Sequence, residues 1–423
     1  MLNRELLKRV IFDVRDFWTT QDLNARSIRL DTQTNCCLVG IRRAGKSFLM
    51  IQAMQELTKC GIAPRRIAYV NFEDERLIGM EASDLDLIRE IQLESGGEEP
   101  AYYFLDEIQN IEGWEKFVRR MADQKQHISI TGSNAKMLST EIAASLGSRF
   151  IMQPVYPYSF SEYLRAVHIE ADENAQYSTE RRAHVIKAYH EYMACGGFPE
   201  TVGLRNPRSF LGNVYQTIYL GDIIRRNKIS GDLAIRLLLK KIAESVGSPI
   251  SFGRMQKVLS ATGLSISTNT VIKYIGAAED SCLIWTAENY AAKLAERMSS
   301  PKYYFMDTGL LNLFLMNGRG VLLENLVALA LLRKYGRHRL FFYHHGVEVD
   351  FFVPEEKVAI QVCYDLRESL NTYERETKAL IKFSKRFPDT RLLILTDANE
   401  ETIRQEGIEI FVLPVWKWLL AKP

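Results

Sequence analysis

Along the chain, short apolar runs alternate with amphipathic segments, and the first such pair surrounds a glycine-containing loop. The run Asn35–Gly40 has the length and apolar character of a buried strand. The loop 40–47 follows, and residues 48–54 then carry apolar side chains at helical spacing. Later strand-like runs lie at 66–73, 101–105 and 127–131, and a helical pattern lies at 113–125. This alternation predicts an α/β fold with a doubly wound parallel sheet.

The loop between the first predicted strand and helix matches the phosphate-binding pattern G-x-x-x-x-G-K-[ST]. Gly40 and Gly45 permit the tight turn that aims backbone N–H groups at phosphate oxygens. Lys46 is expected to neutralise the β and γ phosphates, and Ser47 to offer its hydroxyl to Mg²⁺. The predicted nucleotide contacts are Gly40, Ile41, Arg42, Arg43, Ala44, Gly45, Lys46, Ser47 and Phe48.

Two carboxylates follow the apolar run 101–105, as expected for a buried parallel strand that ends at a nucleotide site. Asp106 suits Mg²⁺, and Glu107 suits a general base for the attacking water. The run 127–131 ends in a polar cluster, in which Asn134 is expected to contact the γ-phosphate or the attacking water. The alternative is a turn in which Ser133 or Asn134 caps a helix.

Composition bounds the remaining possibilities. With 423 residues, the chain is long enough for two to four domains, and 47% hydrophobic residues exclude a largely disordered chain. A formal net charge of +2 gives no whole-chain sign of nucleic-acid binding. We expect a cytoplasmic protein without a membrane segment, because apolar stretches stay far below about 20 residues and no secretory signal pattern begins the chain. The six cysteines lack C-x-x-C spacing, so no structural metal is expected.

The chain resembles AAA+-like P-loop ATPases that carry a carboxy-terminal domain of the DUF4143 type. The likeness extends over nearly the whole sequence. It is carried by residues 40–47, 103–109, 130–134, 146–149, 156–163, 196–200, 219–223 and 307–310.

The resemblance implies four regions: a P-loop core at 1–165, a helical lid at 166–230, a winged helix-turn-helix at 231–306 and a nuclease-like domain at 307–423. It also implies that Arg149 is an arginine finger, which stabilises the charge on the transferring phosphoryl group in its own or a neighbouring subunit. The alternative is a surface arginine that precedes a strand.

The pattern over 250–305 favours a winged helix-turn-helix, with two short helices followed by a strand pair. On the second helix, the predicted DNA contacts are Ser267, Thr268, Asn269 and Lys273. In the wing, the predicted phosphate contacts are Lys293, Arg297 and Lys302. The alternative is a protein-packing module, since the second helix carries few charges.

The last region resembles the PD-(D/E)XK nuclease fold in its order of elements. Glu324 takes the helix position and Asp350 the first strand position, but Gln361 and Cys363 replace the E-x-K pair. An amide is a poor Mg²⁺ ligand, and a thiol does not replace an ammonium. We therefore predict a degenerate, inactive nuclease fold. The alternative is an active nuclease in which Glu348 or Asp365 has taken over the role of a missing carboxylate from a different position in the sequence.

The sequence thus predicts an ATPase that requires Mg²⁺ and uses ATP to switch the arrangement of its winged-helix and nuclease-like regions. Its partners would be ATP, together with duplex DNA, a second copy or another protein. The competing hypothesis is a nucleotide-regulated interaction or signalling module with little turnover and no DNA binding. Glu107 discriminates between them, because a pure nucleotide sensor needs no general base.

Overall fold

The computed structural model describes residues 3–96, 100–132, 145–171, 177–229 and 231–421. The chain forms two compact units, Met1–Tyr156 and Pro157–Pro423. Each unit is built around a β-sheet.

In the first unit, strands and helices alternate along the chain. The strands are β1 (Asn35–Val39), β2 (Ile67–Asn71), β3 (Tyr102–Asp106), β4 (His127–Gly132) and β5 (Phe150–Pro154). The α-helices are α1 (Arg4–Thr20), α2 (Lys46–Lys59), α3 (Asp86–Glu94) and α4 (Trp114–Asp123). All five strands run parallel in the order β2-β3-β4-β1-β5. The predicted α/β fold with a parallel sheet is confirmed.

The apolar runs form the centre of this sheet. All five residues of β3 are buried, as are the last four of β1, which is typical of strands covered on both faces. In the register, Val39 pairs with Gly132 and Leu105 with Ile130. Because the strands are parallel, β1, β3 and β4 end at one edge of the sheet, where the loop 40–47 begins.

The second unit begins with helices and ends with a mixed sheet. Its α-helices are α5 (Phe160–Ala166), α6 (Thr179–Cys195), α7 (Pro207–Thr217), α8 (Leu233–Glu244), α9 (Phe252–Ser260), α10 (Thr268–Asp280), α11 (Leu294–Ser299), α12 (Thr308–Asn312), α13 (Arg319–Tyr335), α14 (Leu370–Ser384) and α15 (Val415–Leu420). A π-helix, Ile218–Arg225, continues α7. The strands are β6 (Ile284–Asn289), β7 (Lys302–Phe305), β8 (Phe341–His344), β9 (Glu348–Val353), β10 (Val358–Val362), β11 (Arg391–Thr396), β12 (Glu401–Gln405) and β13 (Ile408–Pro414).

The eight strands form one sheet in the order β12-β13-β11-β10-β9-β8-β6-β7. The antiparallel pair β6 and β7, which the sequence assigned to a winged helix, joins the strands of the nuclease-like region through β6 and β8. The sheet therefore crosses the predicted boundary at 306/307. The winged-helix and nuclease-like assignments stay predictions.

Residues 166–230, predicted as a lid of their own, share the second unit with the residues that follow them. The carboxylate of Asp307 accepts hydrogen bonds from the N–H groups of Gly197 (2.8 Å) and Leu310 (3.1 Å). Burial raises the pKa of Asp307 to about 6. Asn312 donates to the carbonyl of Ala194 over 2.9 Å. These bonds tie the end of α6 to α12.

Candidate functional site

The loop between β1 and α2 turns its backbone toward the start of the helix. Gly45 is the N-cap residue and has a φ of 92°, a left-handed conformation that glycine adopts readily. Among the described residues, no side chain caps this helix start. The first N–H groups of α2 can therefore bind an anion, and the helix dipole adds positive potential there.

Gly40 is required by the neighbouring strand. A β-carbon at Gly40 would lie 1.9 Å from the carbonyl oxygen of Val155. The N–H of Val155 in turn donates to the carbonyl of Val39 over 2.7 Å. The residue after β5 thus lies directly against the start of the loop, and a side chain at Gly40 would force the two apart.

Lys46 is the first residue of α2, and its side chain is only 4% exposed. Its ammonium donates to the carbonyl oxygens of Gly40 (2.9 Å) and Ile41 (3.3 Å). The Nζ atom lies 3.7 Å from Oε1 of Glu107. Neutral carbonyls therefore hold the ammonium over the loop, beside one carboxylate.

Asp106, the last residue of β3, is fully buried in a hydrogen-bonded network. The Tyr69 hydroxyl on β2 donates to Asp106 Oδ2 over 2.6 Å, and the Thr131 hydroxyl on β4 donates to Oδ1. Ser47 also hydrogen-bonds to this carboxylate. Burial raises the pKa of Asp106, and the three hydrogen bonds offset part of that rise. The structure thus brings together Ser47 and Asp106, the two predicted Mg²⁺ ligands.

Glu107 follows Asp106 in a left-handed conformation with a φ of 54°, which is uncommon for a residue other than glycine. Its N–H donates to the Thr131 hydroxyl over 2.8 Å, and its carboxylate accepts from the Gln109 amide. The side chain is largely buried beside Lys46. The backbone turn therefore directs Glu107 toward the phosphate loop.

Three residues of this site were not singled out from the sequence. Tyr69 and Thr131 lie on the strands that flank β3, and strand order alone brings them to Asp106. Arg26 lies between α1 and β1, where no periodic pattern marks it. Its guanidinium donates to the carbonyls of Ala44 (3.0 Å) and Tyr156 (2.8 Å). These bonds connect the phosphate loop to the chain that follows β5.

Arg149 lies far from the phosphate loop of its own chain. It precedes β5, whose first residue, Phe150, pairs with Asn35 at the beginning of β1. The loop begins at the other end of β1, about 16 Å away for a five-residue strand. The Arg149 side chain pairs with Asp123 (Nε to Oδ1, 2.6 Å). Within this chain, Arg149 therefore lies at the amino-terminal ends of the strands, and the phosphate loop lies at their carboxy-terminal ends.

The remaining predicted nucleotide contacts differ in their surroundings. Arg42 pairs with Glu73 over 2.7 Å, and Arg43 has a φ of 64°. The Phe48 side chain on α2 is 50% exposed. Asn134 lies outside the described residues, so its contact with the γ-phosphate or the water stays a prediction.

The four residues predicted to contact DNA on the second helix are all exposed. Ser267 caps α10 by accepting from the N–H of Thr270. Exposed side chains also belong to Thr268, Asn269 and Lys273 at the start of this helix. Their position leaves the predicted role open.

In the wing, Lys293 is exposed and Arg297 donates to the carbonyls of Tyr290 and Ala292. Lys302 was predicted to contact phosphate, and this prediction is wrong. Its side chain is 0% exposed, because it points into the second unit.

Lys302 lies among three carboxylates that come from α13 and β9. Its Nζ atom lies 3.0 Å from Asp350 Oδ1, 3.1 Å from Glu348 Oε1 and 3.8 Å from Glu324 Oε1. The Tyr304 hydroxyl donates to Glu324 over 2.9 Å. Burial and the neighbouring Asp350 raise the pKa of Glu324 to about 7. Burial alone would lower the pKa of Lys302, but the carboxylates outweigh it and hold that pKa above its usual value.

Of the four predicted nuclease-like positions, Glu324 and Asp350 lie together beside Lys302, Gln361 contacts Asp350, and Cys363 lies apart in the hydrophobic core. Asp350 accepts from the N–H of Val362 over 3.0 Å, and its own N–H donates to Gln361 over 2.7 Å. The Gln361 amide donates to Glu376 on α14 over 2.6 Å. Glu324 and Asp350 both lie beside the Lys302 ammonium. Gln361 hydrogen-bonds to Asp350 on one side and to Glu376 on the other.

Cys363, at the predicted lysine position, belongs to the hydrophobic core of the second unit with Val349 and Leu380. Burial and the neighbouring Glu376 raise the pKa of the thiol to about 11. Of the two migrated candidates, Glu348 lies in the lysine cluster, whereas Asp365 is exposed and accepts from the N–H of Arg367.

Within the described ranges, no group of three or more His, Cys, Asp or Glu side chains is arranged to hold a metal ion. In the same part of the chain, no helix combines the length and apolar character needed to cross a membrane.

Two family matches divide the chain. An AAA domain matches residues 32–164, and a domain of unknown function, DUF8612, matches residues 186–319. The uncharacterized protein MJ1544 of Methanocaldococcus jannaschii is 32% identical over 439 residues, which cover 100% of this chain and 97% of that protein. An uncharacterized protein of Haemophilus influenzae is 29% identical over 397 residues, covering 91% and 94% of the two chains. The DUF4143 assignment stays a prediction.

Solved structures with partial likeness include the Walker-type ATPase PABY2304 of Pyrococcus abyssi. It is 13% identical, with a TM-score of 0.40 over 74% of this chain and 96% of that one. The ORC1 protein of Aeropyrum pernix, solved in complex with DNA, is 15% identical, with a TM-score of 0.28 over 78% and 94% of the two chains.

Proposed function

The chain belongs to the family of MJ1544 of Methanocaldococcus jannaschii, and an AAA domain matches its residues 32–164. We propose that it is a cytoplasmic, Mg²⁺-dependent ATPase whose active site is the loop 40–47 with Asp106 and Glu107. The observation that carries the proposal is the position of Lys46. Its ammonium rests on the loop carbonyls, beside an uncapped helix start and a buried glutamate. ATP is favoured over other nucleotides by the match to an AAA domain alone.

Binding would use the backbone and the lysine together. The first N–H groups of α2 would bind phosphate oxygens, and Lys46 would exchange its carbonyl partners for the β and γ phosphates. Ser47 and Asp106 fit a Mg²⁺ site, because both offer oxygen atoms and are already hydrogen-bonded to each other. When bound, Mg²⁺ neutralises charge on the phosphates.

Hydrolysis would use Glu107 as the general base. Its carboxylate is held by Gln109, and its backbone by Thr131, so its side chain needs little reorganisation. The Lys46 ammonium lies 3.7 Å from this carboxylate, and an ionised carboxylate in this position can accept a proton from water.

A role for Arg149 in turnover would require a second copy of the chain. Its own phosphate loop lies at the opposite edge of the sheet, so an arginine finger would act on a neighbour's nucleotide. The specific activity of the wild type should then rise with protein concentration, whereas that of Arg149→Ala should stay at the level of the dilute wild type. Wild-type turnover in Arg149→Ala would refute the finger.

We further propose that ATP hydrolysis changes the arrangement of the winged-helix and nuclease-like regions while the second unit is bound to duplex DNA. The exposed start of α10, with Ser267, Asn269 and Lys273, supports this step. Lys302 takes no part in it, because its side chain is enclosed. The competing module with little turnover and no DNA binding predicts a slow ATPase that DNA does not stimulate.

The decisive experiment measures ATP turnover with and without duplex DNA for wild type, Lys46→Ala and Lys59→Ala. Lys59 is an exposed lysine at the far end of the same helix and serves as the matched control. Turnover that disappears only in Lys46→Ala supports the ATPase, and turnover retained in that variant refutes it. Stimulation by DNA that declines with salt supports the DNA step.

A further inference from the structure

The buried lysine of the second unit starts on β7, the last strand in the sheet order, and its ammonium lies near side chains of β8 and β9. Lys302 is on β7, and its ammonium lies 5.4 Å from the ring centroid of Phe342 on β8. It ends against Asp350 on β9. A side chain of this length has no exposed atoms, although a lysine normally keeps its ammonium in water.

The ammonium is compensated by charge from more than one element. Asp350 and Glu348 each place one oxygen within 3.1 Å of Nζ, and Glu324 places one at 3.8 Å. A buried ammonium is tolerated only with such partners, since its removal from water is costly. Three carboxylates gathered around one point would repel one another strongly without a cation at that point.

A divalent metal would need the same oxygens. Mg²⁺ binds oxygen at about 2.0–2.1 Å, so an ion held by Asp350 and Glu348 would lie within a few ångströms of Nζ. The two cations would repel each other at that distance. The metal would have to displace an enclosed lysine from its carboxylate partners.

We propose that Lys302 is the resident cation of the cluster formed by Glu324, Glu348 and Asp350. Its ammonium takes the position that a divalent metal would otherwise occupy, and it ties β7 to α13 and β9. The cluster therefore binds no divalent metal in the native chain. Without the ammonium, the same carboxylate oxygens can close around a divalent metal, an arrangement that they do not have in the native chain.

The test measures Mn²⁺ binding to the full, nucleotide-free chain by calorimetry. Wild type and Glu348→Gln should give the same isotherm, because no ion binds at the cluster. Glu348 is partly exposed, so this variant is expected to fold. Lys302→Met should gain one Mn²⁺ site that the isotherm of the wild type lacks. Adding Asp350→Asn to Lys302→Met should remove that site.

Lys293→Met, which changes an exposed lysine of the same wing, is the matched control and should gain nothing. A wild-type Mn²⁺ site that weakens in Glu348→Gln would overturn the proposal, whether or not Lys302→Met folds. A folded Lys302→Met without a new site would overturn it as well. So would Mn²⁺-dependent cleavage of duplex DNA by wild type that Asp350→Ala abolishes.

Discussion

Lys46 and Lys302 are both buried lysines beside carboxylates, yet their charges are used in opposite ways. Lys46 contacts two neutral carbonyls, and its nearest carboxylate oxygen lies 3.7 Å away. Lys302 contacts two carboxylates at about 3 Å and a third at 3.8 Å. The positive charge of Lys46 is therefore available to attract an incoming anion. The positive charge of Lys302 is neutralised by carboxylates of its own chain.

This difference explains why one lysine suits binding and the other suits stability. A carbonyl can be exchanged for a phosphate oxygen at modest cost, because both are hydrogen-bond acceptors and the phosphate adds charge. Breaking an enclosed ion pair leaves an uncompensated charge in a poorly solvated place. Burial alone therefore does not distinguish a catalytic lysine from a structural one; the charge of its partners does.

The sharpest test of the binding role concerns the carboxylate beside Lys46. Glu107→Gln should lower ATP turnover by about 10²–10⁴, because the amide cannot take a proton from water. ATP affinity should stay within a fewfold of the wild type. Turnover and nucleotide binding are measured separately, with the exposed Glu112→Gln as control. Undiminished hydrolysis in Glu107→Gln would remove the general base from the proposal.

The second test exchanges each lysine for methionine. Lys46→Met should lower turnover by about 10²–10³ and change the free energy of unfolding by about 1 kcal/mol or less. Lys302→Met should lower the free energy of unfolding by about 3–5 kcal/mol, because it leaves the charges of Asp350 and Glu348 without their cation. Denaturant unfolding and steady-state turnover decide the outcome. Equal stability losses in the two variants would contradict the comparison.

A smaller effect is expected from the hydroxyl that holds Asp106. Tyr69→Phe removes one donor to this carboxylate, which disfavours its ionised form. The Mg²⁺ concentration for half-maximal turnover should rise about tenfold, since a hydrogen bond to a charged group is worth about 1.5 kcal/mol or more. Tyr102→Phe, a buried tyrosine stacked on His127, is the control. An unchanged Mg²⁺ requirement in Tyr69→Phe would separate Asp106 from the metal.

The smallest effect concerns pH. Because the pKa of Glu324 rises to about 7 on folding, the native state holds a proton that the unfolded state releases. Stability should therefore fall as pH rises from about 4.5 to 7. Glu324→Gln should flatten this slope and shift the melting temperature by a few degrees, while Tyr304 keeps an acceptor. Asp307, with a pKa of about 6, leaves a residual slope.

Melting curves between pH 4.5 and 8 measure this effect, with the exposed Glu368→Gln as control. A slope that is equally steep in wild type and Glu324→Gln would show that Glu324 is ionised throughout this range.

The sequence revealed the phosphate loop because its chemistry is contiguous. Gly45, Lys46 and Ser47 follow one another between a strand and a helix, so local spacing alone is enough to predict the loop. Asp106 and Glu107 were predicted because an apolar, strand-like run ends in them, and the structure places Asp106 beside Ser47 and Glu107 beside Lys46.

The sequence concealed contacts that depend on strand order. Tyr69 and Thr131 reach Asp106 only because β2 and β4 flank β3. Lys302 was misassigned because all four residues of β7 are buried, so no alternation of polar and apolar positions shows which way the lysine points. The carboxylates that contact Lys302 lie on α13 and β9, which come later in the chain, so local sequence spacing gives no sign of these contacts.

The eight-stranded sheet limits where the chain can be divided. A cut at 306/307 would separate β6 from β8 and expose the backbone N–H and carbonyl groups at the end of an inner strand. Such an open edge is prone to pair with other chains, so fragments made at this boundary should aggregate. A cut at 156/157 falls after the last strand of the first sheet and before the first helix of the second unit, and leaves both sheets whole.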